Sequence, residues 1–468
     1  MKIDLRLDPA EMPLLIDLYE LTMAASYFQL GFNQPATFAV SVRRMPLRRG
    51  FLVAAGLERL LEAVEAFHFD QSALDYLSSL KLFAPEFLTW LGTMRFTGEI
   101  CAITEGTVFF ADEPILEITA PLIEAQLLET LVLNQLGPAS LLATKAARVM
   151  LAARGRSLID FGLRRAHGAD AGLLAARSSY LAGFIGTSNV LAGRRYGIPL
   201  YGTMAHSYVM AHDGERAAFE HYTQLFPDLS ALLVDTYDTL AGVENAARVA
   251  LELKRKGHKL QAIRLDSGDL AALSLAARRV LDREGLREVA IFATGNLDEY
   301  RIDQLLRAGA PIDAFGVGAE TAVSGDAPSL DMVYKLAEYA GAPRMKISIG
   351  KTSAPGRRQI FRALNPKGGF YSDLIALAQE GAVSVAHEFK PAPSETIPLL
   401  QRVMTGGHRI GAPPVLVESR AHLLESLAHL EQCYKDLEKP DSYPVRQTAA
   451  LDALVISERM RSARRQER

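Results

Sequence analysis

The chain has 468 residues, 49% hydrophobic and 22% charged, a globular balance with material for two or three domains. Its 51 Lys and Arg against 54 Asp and Glu leave a net charge of −3, which argues against a nucleic-acid binder relying on overall charge. Two cysteines, Cys101 and Cys433, build no disulfide framework. Asp4 and Asp8 leave no signal-peptide core, and no run of about 18 apolar residues suggests a membrane span, so a cytoplasmic protein is expected.

In chain order, residues 1–125 mix a helical start at Leu14–Leu30 with strand-like pieces at Thr37–Val42 and Glu99–Phe110. The middle is more regular. Apolar runs at Ser157–Phe161, Ile198–Tyr201, Ala231–Val234, Ala262–Leu265, Val289–Ala293 and Ala314–Phe315 each end in small or polar residues. Helical periods at Leu240–Lys256, Leu270–Glu284 and Asp298–Ala308 separate the later runs, each followed by a glycine that stops it. Strand, polar turn, helix, glycine, strand is the pattern of βαβ units on a parallel sheet. Residues 351–415 are Pro- and Gly-rich with short extended runs, and a helical period returns at Glu418–Lys435.

Polar residues at six strand ends favour a barrel over an open sheet, because a barrel gathers all those ends on one face. The expected fold is an irregular α/β barrel over 126–350 with a second α+β sandwich domain. That second domain takes 1–125 and a contribution from 351–415, and 416–468 forms a helical C-terminal segment.

The strand ends carry the candidate chemistry. Arg164 and Arg165 follow a strand beside glycines, where guanidiniums grip phosphate or carboxylate, though a solvated pair is the alternative. Gly202-Thr203-Met204-Ala205-His206-Ser207 offers close backbone approach, two hydroxyls and an imidazole that could be base, nucleophile or a structural histidine. In Arg264-Leu265-Asp266-Ser267-Gly268-Asp269, alternation puts Arg264 and Asp266 on one strand face. Asp266 and Asp269 could hold Mg²⁺ or offset developing positive charge; Asp269 could equally cap the next helix. Gly295, Asn296, Gly316 and Gly318 could turn backbone N–H groups to a phosphate.

Lys346, Lys351, Arg357 and Arg358 form a basic stretch that is either a solvated loop or a cover over an anion. Tyr19 could pack internally or stack on an aromatic ligand. No P-loop, HxxxH pairing or zinc-spaced cysteine pair occurs, so ATP would bind by another mode and a dedicated transition-metal site is not expected.

Five ordered motifs resemble the nicotinate phosphoribosyltransferase family over nearly the whole chain. They are Asp17-Leu18-Tyr19-Glu20-Leu21-Thr22-Met23, Phe161 to Gly168 (FGLRRAHG), Gly202 to Ser207, Arg264 to Asp269, and Arg344-Met345-Lys346. Pro355-Gly356 and Tyr443-Pro444-Val445 also fit. The resemblance implies a type II phosphoribosyltransferase, a homodimer with sites completed across its interface. It would join nicotinate to phosphoribosyl pyrophosphate, releasing pyrophosphate, in NAD biosynthesis.

The resemblance further implies ATP hydrolysis coupled through a phosphohistidine, which matches His206, and nicotinate contacts matching Tyr19, Thr203 and Arg264. Arg164, Arg165, Ser207, Ser267, Gly268, Gly295, Asn296, Gly316, Gly318 and Lys346 fall among the expected substrate contacts. Asp266 is the candidate to stabilise an oxocarbenium-like sugar, with Mg²⁺ tentatively on Asp266 and Asp269. The family's Thr after Gly-Val-Gly is Ala319 here, which removes one hydroxyl from phosphate binding. A nicotinamide or quinolinate transferase, or a catalytically silent homologue, are the rival readings.

Overall fold

The computed structural model describes residues 9–348 and 353–466. Chain contacts divide it into two compact units, Met1–Leu141 with Ser329–Arg468, and Leu142–Pro328. The barrel unit is narrower at both ends than the expected 126–350. The difference arises because Met332–Tyr339 is a strand of the other unit's sheet, paired with Pro35–Val42. Segment 416–468 also belongs to that first unit rather than standing apart.

In the barrel unit six strands run parallel in the spatial order Gly186–Thr187, Ser157–Asp160, Ala314–Val317, Ala290–Ala293, Ala262–Leu265, Ala231–Leu233. The expected strand Ile198–Tyr201 is reduced to a bridge between Thr187 and Leu200. Pro199 has no N–H to give, so only Pro199 O and the Tyr201 N–H bond to Thr187 there. Among the described residues no ladder joins Leu200 to Ala231–Leu233, which makes the barrel irregular. The two-residue strand Gly186–Thr187 had no readable signal, because it is too short for any period.

Three barrel helices start on an aspartate directly after a strand end. Asp238 accepts from the Ala241 N–H at 2.8 Å, Asp269 from Ala271 and Ala272, and Asp298 from Arg301 at 2.7 Å. Each cap fixes where the chain leaves the strand tip. Behind them, the buried Glu299 carboxylate meets Lys145 Nζ at 2.6 Å and Arg148 Nε at 2.9 Å.

The barrel's interior is layered by strand alternation. In the register of the parallel ladder, Ala290 lies beside Ala262 and Phe292 beside Arg264. Small residues (Ala231, Ala262, Ala290, Ala314) cluster with Ile159 and Phe292 at the lower level. Two residues beyond Arg264 and Phe292, the same face presents Asp266 and Thr294. Polar chemistry therefore begins where the apolar plug ends.

The first unit holds a seven-stranded antiparallel sheet whose central neighbours are Met332–Tyr339, Pro35–Val42, Leu116–Pro121, Glu99–Ala102 and Gln401–Thr405. A four-stranded sheet takes Glu395–Pro398, Arg358–Leu364, Phe370–Leu377 and, in parallel, Val445–Gln447. Here Arg362 is fully buried between the Phe110 and Phe370 rings and ion-paired to Asp373 at 2.6 Å. Tyr443 donates to the same carboxylate at 2.9 Å, so the Tyr443-Pro444-Val445 motif is a structural strap.

The basic stretch is resolved into partners. Arg357 pairs with Glu99, and the Arg358 N–H donates to the buried Glu117 carboxylate at 3.1 Å. Those two arginines are neither a solvated loop nor a cover over an anion. Lys351 lies outside the described residues.

Candidate active site

Arg264 is the hub of the barrel's polar layer. Its Nε donates to Thr294 Oγ1 at 2.9 Å, Nη1 to Thr203 Oγ1 at 2.7 Å and to Met204 O at 3.3 Å, and Nη2 to Asp266 Oδ1 at 2.6 Å. A guanidinium has five N–H donors, so one, on Nη2, stays available to a ligand. Phe161 lies with its ring centroid 5.8 Å from the guanidinium carbon and edge-on to Phe292. Strand pairing brings Arg264 beside the strand that leads into Thr294, and the Arg264 hydrogen bond draws in Thr203 from the loop after Leu200.

Asp266 receives the Thr294 hydroxyl as well as Arg264 on Oδ1. Burial pushes its carboxyl up, but those two hydrogen bonds and the Arg264 charge outweigh burial and hold it below the usual carboxylate range. Asp266 therefore stays ionised. Its other oxygen, Oδ2, is 3.8 Å from His206 Nε2.

His206 opens the short helix His206–Met210, and its Nδ1 lies 3.1 Å from Thr236 Oγ1. Asp235, only 8% exposed, accepts from the Asp266 N–H at 3.0 Å and from the Ser267 hydroxyl at 2.5 Å. On the opposite side, a Cβ at Gly295 would stand 2.0 Å from Asp266 O, and φ there is +91°. Only glycine lets the two turns approach so closely.

The structure brings Thr203, His206, Arg264, Asp266 and Ser267 into one connected network. Gly268 and Asn296 occupy its turns with positive φ. Ser207 is exposed in the first turn after His206. At Gly316 a Cβ would lie 2.6 Å from Thr294 Cγ2 and 2.8 Å from the Phe161 ring, so its bareness makes room for both. Gly318 caps the short helix Ala319–Val323, and its carbonyl takes the Thr321 hydroxyl at 3.1 Å.

Arg164 and Arg165 sit exposed on the turn Leu163–Arg165 and form no ion pair among the described residues. The turn itself is pinned by buried Asp160, which accepts from the Gly162 N–H at 2.9 Å and from the Thr187 hydroxyl at 2.6 Å. Tyr19 and Lys346 belong to the other unit. Tyr19 is 45% exposed, and burial of its phenol, the Glu129 charge and a hydrogen bond to Glu129 raise its pKa. Lys346 is exposed, and its backbone N–H donates to Ser353 Oγ at 2.9 Å.

Among the described residues no three His, Cys, Asp or Glu side chains are grouped to hold a metal ion. Asp269 uses its carboxylate as a helix cap. Both cap bonds go to Asp269 Oδ1, so Asp269 Oδ2 and Asp266 Oδ2 are two carboxylate oxygens suited to share a cation with a ligand. Three residues of the network, Asp235, Thr236 and Thr294, were not assigned roles from sequence, nor was Asp160, which pins the turn bearing Arg164 and Arg165. Asp235-Thr236 was visible as a polar strand end, but a single sequence does not tell which strand-end acid faces a neighbouring loop.

Comparison with known proteins gives three family-model matches in chain order. They are the nicotinate phosphoribosyltransferase N-terminal domain at residues 14–137, the nicotinate phosphoribosyltransferase family at 156–371, and the corresponding C-terminal domain at 357–455. The chain is 49% identical over 436 residues to the nicotinate phosphoribosyltransferase pncB2 of Mycobacterium tuberculosis, covering 92% of this chain and 90% of that protein. It is 37% identical over 449 residues to the Bacillus subtilis nicotinate phosphoribosyltransferase, covering 92% and 91%. The crystal structure of human nicotinic acid phosphoribosyltransferase superposes with a TM-score of 0.83 at 31% identity, covering 94% of this chain and 99% of that one. No helix among the described residues is long and apolar enough to cross a membrane.

Proposed function

The chain belongs to the nicotinate phosphoribosyltransferase family, and from that premise we propose how its own residues carry out phosphoribosyl transfer to nicotinate. The pyridine nitrogen attacks C1 of the ribose, the C1–oxygen bond to pyrophosphate breaks, and nicotinate mononucleotide and pyrophosphate result. The observation that carries the reading is the Arg264 hub, which sets a cation, an ionised acid and Thr203 around one point above the apolar plug.

Arg264 offers its remaining N–H and its charge to the nicotinate carboxylate, with Thr203 beside it. Phe161 supplies an apolar ring face near that carboxylate's partner, and Tyr19 is proposed as a second for the pyridine ring. Asp266, ionised and next to Arg264, faces the carbon that gains positive charge as pyrophosphate departs. Arg164 and Arg165, exposed and uncommitted, suit the phosphates of the sugar donor. A Mg²⁺ here would offset the charge of the pyrophosphate, and Asp266 Oδ2 would hold it, with Asp269, whose Oδ1 caps the helix, as the second candidate.

His206 is assigned as the phosphoryl acceptor from ATP. A phosphate there adds negative charge beside the Asp266 loop and reshapes how that loop holds substrate. The active species is assigned as a cytoplasmic homodimer.

Nicotinate, nicotinamide and quinolinate, each offered with phosphoribosyl pyrophosphate and Mg²⁺, test the reading. Nucleotide should form from nicotinate; turnover of nicotinamide alone overturns it. Arg264→Ala should raise the KM for nicotinate more than that for phosphoribosyl pyrophosphate, and an unchanged nicotinate KM would refute the pairing. His206→Ala should abolish phosphoenzyme formation while slow transfer persists. Label from ATP still appearing on that variant would move the phosphoryl site elsewhere.

A further inference from the structure

The strand Ala231–Leu233 ends in two residues that point to two different partners. Asp235 holds the loop that bears Asp266 and Ser267, while Thr236 touches His206. The imidazole has two nitrogens in unlike settings. Nε2 is 3.8 Å from Asp266 Oδ2, beyond hydrogen-bond range, so no proton is fixed there. Nδ1, at 3.1 Å from Thr236 Oγ1, makes the ring's one hydrogen bond among the described residues.

A neutral imidazole carries one N–H and one lone pair, and the nitrogen that is hydrogen-bonded decides which is which. We propose that Thr236 is a positioning residue for His206: its hydroxyl accepts the Nδ1 hydrogen and leaves the Nε2 lone pair to take the phosphoryl group. In that step the Nε2–phosphorus bond forms, the bond from the γ-phosphorus to the β,γ-bridging oxygen of ATP breaks, and ADP leaves. Nδ1 keeps its hydrogen throughout. Because Asp235 is the adjacent residue, one strand tip orients the imidazole and fixes the carboxylate loop beside it. The inference rests on His206 being the phosphorylated residue.

The test uses the full chain with Mg²⁺ and ATP, quenched in alkali and examined by ³¹P and ¹⁵N NMR. The wild-type phosphoenzyme should carry its phosphate on Nε2. Thr236→Val, which keeps the volume and removes the hydroxyl, should slow phosphoenzyme formation about tenfold, as expected for one hydrogen bond. That loss should exceed any loss in transfer measured without ATP, and Thr236→Ser should restore the rate.

Phosphate on Nδ1 of the wild type, or a Thr236→Val rate equal to wild type, overturns the role of Thr236. The wild-type linkage decides the matter even where the valine variant folds poorly. Phosphate on no histidine nitrogen at all defeats the assignment of His206 itself, and this inference with it; that result is distinct from a Nδ1 linkage.

Discussion

At the scale of single residues, the site turns on how Asp266 is kept ionised. Its carboxyl lies below the usual range because Thr294 and Arg264 donate to it and Arg264 is charged beside it, against the opposing effect of burial. A depressed pKa preserves the anion to lower pH. Removing one donor, in Thr294→Val, raises that pKa and withdraws the anion sooner as pH falls. The acid limb of kcat/KM for phosphoribosyl pyrophosphate should therefore move to higher pH in a profile carried to as low a pH as the fold tolerates. An unmoved limb would assign it to another group. Arg264, Asp266 and His206 were legible in sequence, because each ends a strand or opens a turn in a quoted motif. Thr294 and Thr236 were not, because their importance lies in which neighbour they touch across the sheet.

Among elements, two helix junctions rest on buried acids. Glu299 satisfies both Lys145 and Arg148, each almost wholly buried. Glu299→Ala removes that carboxylate from Arg148 and leaves Lys145 with Asp326 as its carboxylate partner, and should cost about 3–5 kcal/mol in denaturant unfolding. A loss under 1 kcal/mol would mean that water or other groups replace the carboxylate.

The second junction is Glu20, buried in the helix Leu18–Leu30 and accepting from Thr130 at the start of Glu129–Ala152. Burial raises its pKa to about 7. A raised carboxyl pKa gives stability that is complete below the unfolded value and lost as pH rises through about 7. Glu20→Gln cannot ionise, so its melting temperature relative to wild type should improve from pH 5 to pH 8. A constant difference would show that Glu20 does not titrate in that range. The barrel helices Thr239–Arg255, Leu270–Arg283 and Glu299–Arg307 were readable from their period and the glycine after each, while the longer Glu129–Ala152 and Ala449–Gln466 were not read. The strand Gly186–Thr187 and the bridge at Leu200 were not, since two residues have no period and Pro199 hides a pairing that only neighbours supply.

For the whole molecule, the homodimer proposed above can be put to a quantitative test. Tyr19 and Arg264 lie in different units of one chain. If each active site takes Tyr19 from one subunit and Arg264 from the other, mixing Tyr19→Ala and Arg264→Ala chains, assayed at nicotinate too dilute for either variant alone, restores some sites. Random pairing makes half the dimers mixed, each with one intact site, so about a quarter of wild-type activity should return. No recovery after subunit exchange would place both residues in the same subunit's site. The barrel was visible from six repeated strand ends. The extent of the other unit was not, because its chain is interrupted by the barrel and no composition shift marks the rejoining at Ser329.

That interruption bears on how the chain is made. Pro35–Val42 pairs on one side with Leu116–Pro121 but on the other with Met332–Tyr339, which leaves the ribosome roughly 290 residues after Val42. At about 5–20 residues per second this strand waits about 15–60 s with one side bare. An unpaired strand edge invites pairing with another chain. The nascent protein is thus most vulnerable while the barrel is being translated, and crowding on polysomes or a slow-translation variant within 142–328 should cost soluble yield before it costs activity per molecule.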